Sequence, residues 1–208
     1  SYSSVTNSAG KGFLVTGSFN SISFSSAAGN LGGALHLQGA VSNPISSNTI
    51  TRGYFNSGTN AASNLDFANS NSISLSTFTN SWNEHSGLAL WYSSTNTFDQ
   101  CHISNYQGRA LKLADGASYN TVSASTMIAN GSSFEEHALM ITGSTGNMIT
   151  RSFIYAPHNI AVSISSGAIL NIIDQSFVSV AAADGISALT ILHASSNTIR
   201  LSTMTSAD

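Results

Sequence analysis

The sequence has 208 residues, of which 41% are hydrophobic and only 7% charged, with six Lys plus Arg against nine Asp plus Glu for a net charge of -3. So few basic residues, scattered along the chain, exclude a nucleic-acid footprint and a polybasic attachment to anionic lipid. No run is long enough to insert in a membrane. Ser, Thr and Asn supply more than a third of the residues, yet the apolar positions keep a strict register, which argues against disorder.

The first residues already suit a repeating layer: Val5 and Ser8 fit an apolar and a small position, and Phe13-Leu14-Val15 fits a closing strand. From there an asparagine followed two residues later by an apolar residue recurs to the end. It occurs at Asn20, Asn48, Asn71, Asn96, Asn120, Asn147, Asn171 and Asn197, at spacings of 28, 23, 25, 24, 27, 24 and 26 residues. A period in this range marks a stack of structural repeats, each unable to bury its apolar side without neighbours.

Within each repeat the fifth residue after the asparagine is small (Ser25, Gly53, Ser76, Cys101, Ser125, Ser152, Ser176, Ser202) and the seventh mostly apolar (Ala27, Phe55, Phe78, Ile103, Met127, Ile154, Val178, Met204). This alternation is that of a strand, and no segment has helical spacing. An apolar-x-apolar triplet closes each layer, among them Leu35-His36-Leu37, Leu65-Asp66-Phe67, Leu88-Ala89-Leu90 and Leu111-Lys112-Leu113. Its middle residue points to the face opposite its neighbours. Turn clusters such as Asp115-Gly116-Ala117-Ser118 follow.

The pattern predicts an all-β, single-unit solenoid spanning 1–208, of about eight coils of about 25 residues, with both ends cut within a coil. Stacked at the strand spacing, seven intervals span roughly 34 Å. The repeated asparagines are expected to form an internal amide ladder. Cys101 takes a place held elsewhere by serine or glycine and reads as buried packing.

The strings Asn71 to Phe78 and Ala110 to Leu113 make the chain resemble the right-handed parallel β-helix repeat proteins, a superfold shared by pectate lyases, NosD-like periplasmic proteins, phage tailspikes and bacterial surface proteins. The resemblance covers about Phe13 to Met204. It implies the right hand of the coil, which the preference for right-handed parallel crossovers also favours. The Gly-His-Gly and Arg-Ile-Lys strings of polygalacturonases are missing, as are calcium-binding Gly-Gly-x-Gly-x-Asp repeats. Gly32-Gly33-Ala34-Leu35 matches a motif of chlamydial polymorphic membrane proteins once, without its companion Phe-x-x-Asn.

Two surfaces carry candidate chemistry. Glu84, Arg109, Glu135 and Glu136 gather before the closing triplet of successive layers, where carboxylates flanking a base could serve sugar hydrolysis or elimination. The alternative is a solvated loop in which charges collect. Six residues after the asparagines stand Tyr54, His102, Phe153 and Phe177, with Tyr155 beside them, a lateral face suited to sugar stacking or to packing on another chain. His36, His102, His158 and His193 fall at different offsets, which fits surface positions rather than a metal site. No metal or cofactor is expected. Uniform small-polar ladders favour a non-enzymatic extracellular or cell-surface stalk, fibre or adhesin, expected to pack end to end or sideways on itself or neighbouring repeats, with surface glycans as a further candidate partner. The alternative is a carbohydrate-active enzyme: a polysaccharide lyase, hydrolase or tailspike-like depolymerase.

Overall fold

The computed structural model describes residues 2–29, 32–58, 61–83, 85–131, 136–181 and 186–206. The chain winds into a β-solenoid with three long faces, and every pairing between their strands is parallel. Sheet 1 holds eight three-residue strands directly after the asparagines: Ser21–Ser23, Thr49–Thr51, Ser72–Ser74, Thr97–Asp99, Thr121–Ser123, Met148–Thr150, Ile172–Asp174 and Thr198–Arg200. Sheet 2 has nine strands, beginning with Ser3–Asn7 and Ser25–Gly29 and running through Tyr54–Ser57 and His102–Asn105 to Thr203–Ser206. Sheet 3 has eight, formed around the closing triplets: Phe13–Val15, Leu35–Gln38, Ser63–Asp66, Ser86–Trp91, Arg109–Ala114, Leu139–Thr142, Val162–Ser165 and Leu189–Leu192. The expected triplet Leu65-Asp66-Phe67 is corrected: Leu65 pairs with Leu37 and Leu90, so Ser63-Asn64-Leu65 takes the triplet's place, and Phe67, at φ 48°, turns the corner. Ile45–Ser46 and Ala68–Asn69 add a short parallel ribbon.

Register places like on like. Ile50, Ile73, Phe98, Val122 and Ile149 lie above one another on sheet 1, and Phe55, Phe78, Ile103 and Met127 on sheet 2. All of these are buried, with the rings of Phe55 and Phe78 stacked 5.3 Å apart. Full burial of each such side chain is worth about 1.5–3 kcal/mol, so the interior column supplies most of the driving force.

The corners are held by the ladders. From Asn48 onward each asparagine Oδ1 accepts both the backbone N–H and the Nδ2–H of the asparagine one coil earlier, as Asn71 does from Asn48 at 2.9 and 3.0 Å. From Asn96 onward the remaining Nδ2–H donates to a carbonyl of the previous coil, first Ala68 at 2.8 Å. The serines five residues on make a second ladder: Ser125 Oγ accepts the Cys101 N–H at 3.0 Å and donates to the Ser123 carbonyl at 2.7 Å.

Both ladders flank residues in the left-handed region. Phe24, Arg52, Leu75, Gln100, Ala124, Arg151, Gln175 and Leu201, each four after an asparagine, have φ between 47° and 54°. Phe19, Ser47, Ser70, Thr95, Tyr119, Leu170 and Ser196, each just before one, share that conformation. A non-glycine residue there costs about 1–2 kcal/mol, and the ladder hydrogen bonds on either side offset that cost coil by coil. The Gly32-Gly33 pair has its own packing reason. Gly33 has φ +82°, and a Cβ on it would meet the Ala61 carbonyl oxygen at 2.5 Å.

Candidate functional site

The outer face of sheet 3 is built by the register of the closing triplets. His36, Asn64, Ala89 and Lys112 are consecutive rungs of its middle row. Asp66 and Trp91 form the next row, two residues further along their strands and so on the same side. Ala89 is the small rung. Together with Ser86 and Ala61 it floors a hollow of about 210 Å³ walled by Asn64, His85, Trp91, Arg109 and Lys112. The Lys112 ammonium lies over the Trp91 ring, 4.1 Å from its centroid, a placement that fixes both side chains at the rim.

Two of the six basic residues thus share one hollow with an imidazole and an indole, although the sequence scatters them. One strand above, His36 Nε2 meets Asp66 Oδ2 in a hydrogen-bonded ion-pair geometry. His36 is 8% exposed, so its expected surface position is corrected: Asp66 in the next coil covers and holds it. Along the row, His36 and Lys112 are three rungs apart, roughly 14 Å.

The turn expected to hold Glu84, Arg109, Glu135 and Glu136 is divided by the fold. Glu84 and Glu135 lie outside the described residues. Arg109 starts a strand of sheet 3 and lines the basic hollow, whereas Glu136, 6% exposed, lines a different cleft beside the loops that enter sheet 3. The register explains the separation: the Ala110 N–H donates to the His137 carbonyl, setting Arg109 level with His137 instead of Glu136.

On sheet 2 the lateral row stands as the sequence implies, but it does not form one platform. Tyr54 is half exposed and His102 half buried, with Thr77 between them, while Phe153, Tyr155 and Phe177 cluster near the other end. Phe153 and Phe177 stack at 5.6 Å and 4°. They give their ring faces to one another and their edges to solvent, which leaves less face for a sugar. On sheet 1, the Ser123 hydroxyl at 2.6 Å, followed by the Gln100 amide, holds the Asp99 carboxyl below its usual range. Burial pushes the Cys101 thiol up to about 11, which makes it an inert rung of the serine ladder.

Among the described residues no group of three His, Cys, Asp or Glu could hold a metal ion, and no helix is long and apolar enough to cross a membrane.

Residues 55–204 match the family model described as "Right handed beta helix region". No curated protein matches in sequence. Several solved structures share the architecture. A double mutant of the periplasmic alginate epimerase AlgG superposes with a TM-score of 0.66 at 11% identity, covering 91% of this chain and 47% of that one. The unmutated AlgG gives 0.57 at 11% identity, covering 91% and 45%. DFA-IIIase from Arthrobacter chlorophenolicus A6 gives 0.53 at 12% identity, covering 92% and 54%. The chain spans about half the length of these structures, and likeness at such identity concerns the fold.

Proposed function

The chain belongs to the right handed beta helix family, and from that fold and the hollow on sheet 3 we propose that it binds and chemically modifies an acidic polysaccharide. The observation that carries the reading is the convergence of Arg109, Lys112, His85 and Trp91 on one hollow in a protein with only six Lys plus Arg. A guanidinium and an ammonium lining one hollow suit a sugar carboxylate. An indole at the rim suits the apolar face of a sugar ring.

Such a site also has chemistry open to it. Pairing the carboxylate with Arg109 and Lys112 makes the adjoining C–H more acidic, because charge developing on the carboxylate oxygens is stabilised. His85, in the same hollow, is placed to take that proton. The resulting carbanion either takes a proton from water on the opposite face, giving the epimer, or expels the glycosidic oxygen on the neighbouring carbon, which leaves as a hydroxyl by taking a proton from water, giving an unsaturated sugar and a new chain end. The structures compared above include an epimerase of alginate, and that likeness supports an enzyme over the stalk or adhesin that the uniform small-polar ladders favour. An extracellular or periplasmic location fits the same reading, since AlgG is periplasmic.

The test is binding of polyuronate and of a neutral glucan to the intact protein and to Arg109→Ala and Lys112→Ala. Polyuronate should bind preferentially, weaken with salt, and lose about tenfold in each variant, the weight of one charge-assisted hydrogen bond. Equal binding of the neutral glucan, or unchanged affinity in both variants, would sink the proposal.

A further inference from the structure

A second concavity, of about 670 Å³, opens beside the loops that lead from sheet 2 into sheet 3. It is lined by Asn83, Tyr106, Gln107, Asn130, Glu136 and His158 over Gly131. No Lys or Arg is among the described residues that line it. Its volume lies in the range of small-molecule sites, and its lining is of a different kind from the basic hollow: three amides, a phenol, an imidazole and a carboxylate.

The loops carrying these side chains are pinned from inside. The Asn80 Oδ1 accepts the Trp82 N–H at 3.1 Å and its Nδ2 donates to the Ser86 carbonyl at 3.2 Å. One coil on, the Asn105 Oδ1 accepts the Gln107 N–H at 2.9 Å while its Nδ2 donates to the His85 carbonyl at 2.7 Å and the Trp82 carbonyl at 3.1 Å. Asn80 and Asn105 are 4% and 0% exposed. Two buried amides therefore fix Asn83 and Gln107 from below, which preorganises the lining at no cost on binding.

The carboxylate is built in as well. Glu136 is 6% exposed, and a Cβ added to Gly131 would meet its Oε2 at 2.0 Å. The glycine at 131 therefore makes the space that the carboxylate occupies. Tyr106 stands at the rim, 68% exposed, with its ring available to a ligand.

We propose that this cleft is a binding site for a neutral saccharide. Amides and a carboxylate read paired hydroxyls, the carboxylate as acceptor and each amide as both donor and acceptor. Tyr106 supplies the stacking surface. Among the described residues the lining offers amides and a phenol for hydroxyls and no Lys or Arg to receive a sugar carboxylate, which favours a neutral sugar here. The two hollows are neighbours: Asn83 and Gln107 line this one, and His85 and Arg109, two residues further in each loop, line the other. Charged and neutral sugars are thereby sorted to either side of one loop edge, as a mixed polysaccharide or a neutral branch requires.

The probes are neutral manno-, gluco- and galacto-oligosaccharides, followed by calorimetry and by NMR shifts of the intact protein, with polyuronate as a parallel arm. At least one neutral series should bind. Tyr106→Ala and Glu136→Gln should each weaken it by about tenfold or more and leave polyuronate binding unchanged, whereas Lys112→Ala should do the reverse. Tyr106 is exposed, so its variant keeps the wild-type melting temperature and answers for the site even if the Glu136 variant is unstable. Binding of no neutral series, or loss of neutral binding in Lys112→Ala but not in Tyr106→Ala, would overturn the proposal. Failure of the polyuronate arm alone would overturn only the function proposed for sheet 3.

Discussion

Asn120 Oδ1 takes two hydrogen bonds from Asn96, one from the backbone N–H at 2.9 Å and one from Nδ2 at 3.0 Å. One amide thus satisfies a neighbour's main chain and side chain together, and its own Nδ2 passes the bond on to Asn147 and back to the Ser93 carbonyl. The residues before and four after each asparagine need this hold because they sit at positive φ. The ladder acts on stability, and through it on how firmly the outer faces are presented.

Removing an inner rung should cost more than removing the last. Asn120→Ala leaves buried donors and acceptors unpaired and is expected to destabilise by about 2–4 kcal/mol. Asn197 is only half buried and ends the described ladder, so Asn197→Ala should cost less than half as much. Urea unfolding midpoints at unchanged slope would show the difference. Equal costs would mean that the ladder is not what holds the corners.

Two glycines at positive φ separate conformational strain from collision. At Gly167, φ is +78° and nothing stands within 4 Å of an added Cβ, so Gly167→Ala should cost about 1–2 kcal/mol, the left-handed penalty alone. At Gly33 the Ala61 carbonyl oxygen blocks the same methyl group at 2.5 Å. Gly33→Ala should therefore cost about 2 kcal/mol more than Gly167→Ala. Thermal melts of the two variants side by side make the comparison.

Cys101 gives a pH signature. Its folded pKa, about 11, lies above the ordinary 9.0, so the folded state prefers the neutral thiol. That contribution is complete below pH 9 and is lost as pH rises from there through 11. The total is up to roughly 3 kcal/mol. Cys101→Ser continues the hydroxyl ladder between Ser76 and Ser125 and should match the wild type near neutrality while losing this part of the alkaline slope. In the native protein the thiol should stay unreactive toward thiol reagents at pH 8.

How much of this was legible follows from what repeats. Asn71, Asn96 and Asn120 recur as one residue type with an apolar residue two places on, so the ladder, the coil length and the inward columns could be read directly. The left-handed corners could not, because ordinary side chains such as Phe24, Leu75 and Arg151 occupy them and the strain is offset by neighbours in other coils. The basic hollow was hidden for a different reason. His85 comes from one coil, Arg109 and Lys112 from the next, and only the stacking of Leu88 on Leu111 brings them to one face. The apolar-x-apolar strings hold only part of the missing signal: they align Ala89 with Lys112, but Leu65-Asp66-Phe67 would set Asp66 in that row, where the register places Asn64. Glu136 was legible as a carboxylate near a turn, but its separation from Arg109 depends on a register that charge pattern does not encode.

The most direct test of the sheet 3 site is proton NMR of polyuronate incubated with the intact protein in heavy water. Deuterium at the carbon beside the carboxylate, unsaturated chain ends, or both are expected, with the signal lost in His85→Ala and reduced in Lys112→Ala. Polyuronate recovered unchanged from folded protein would contradict the proposed chemistry, and so would full activity in the His85 variant.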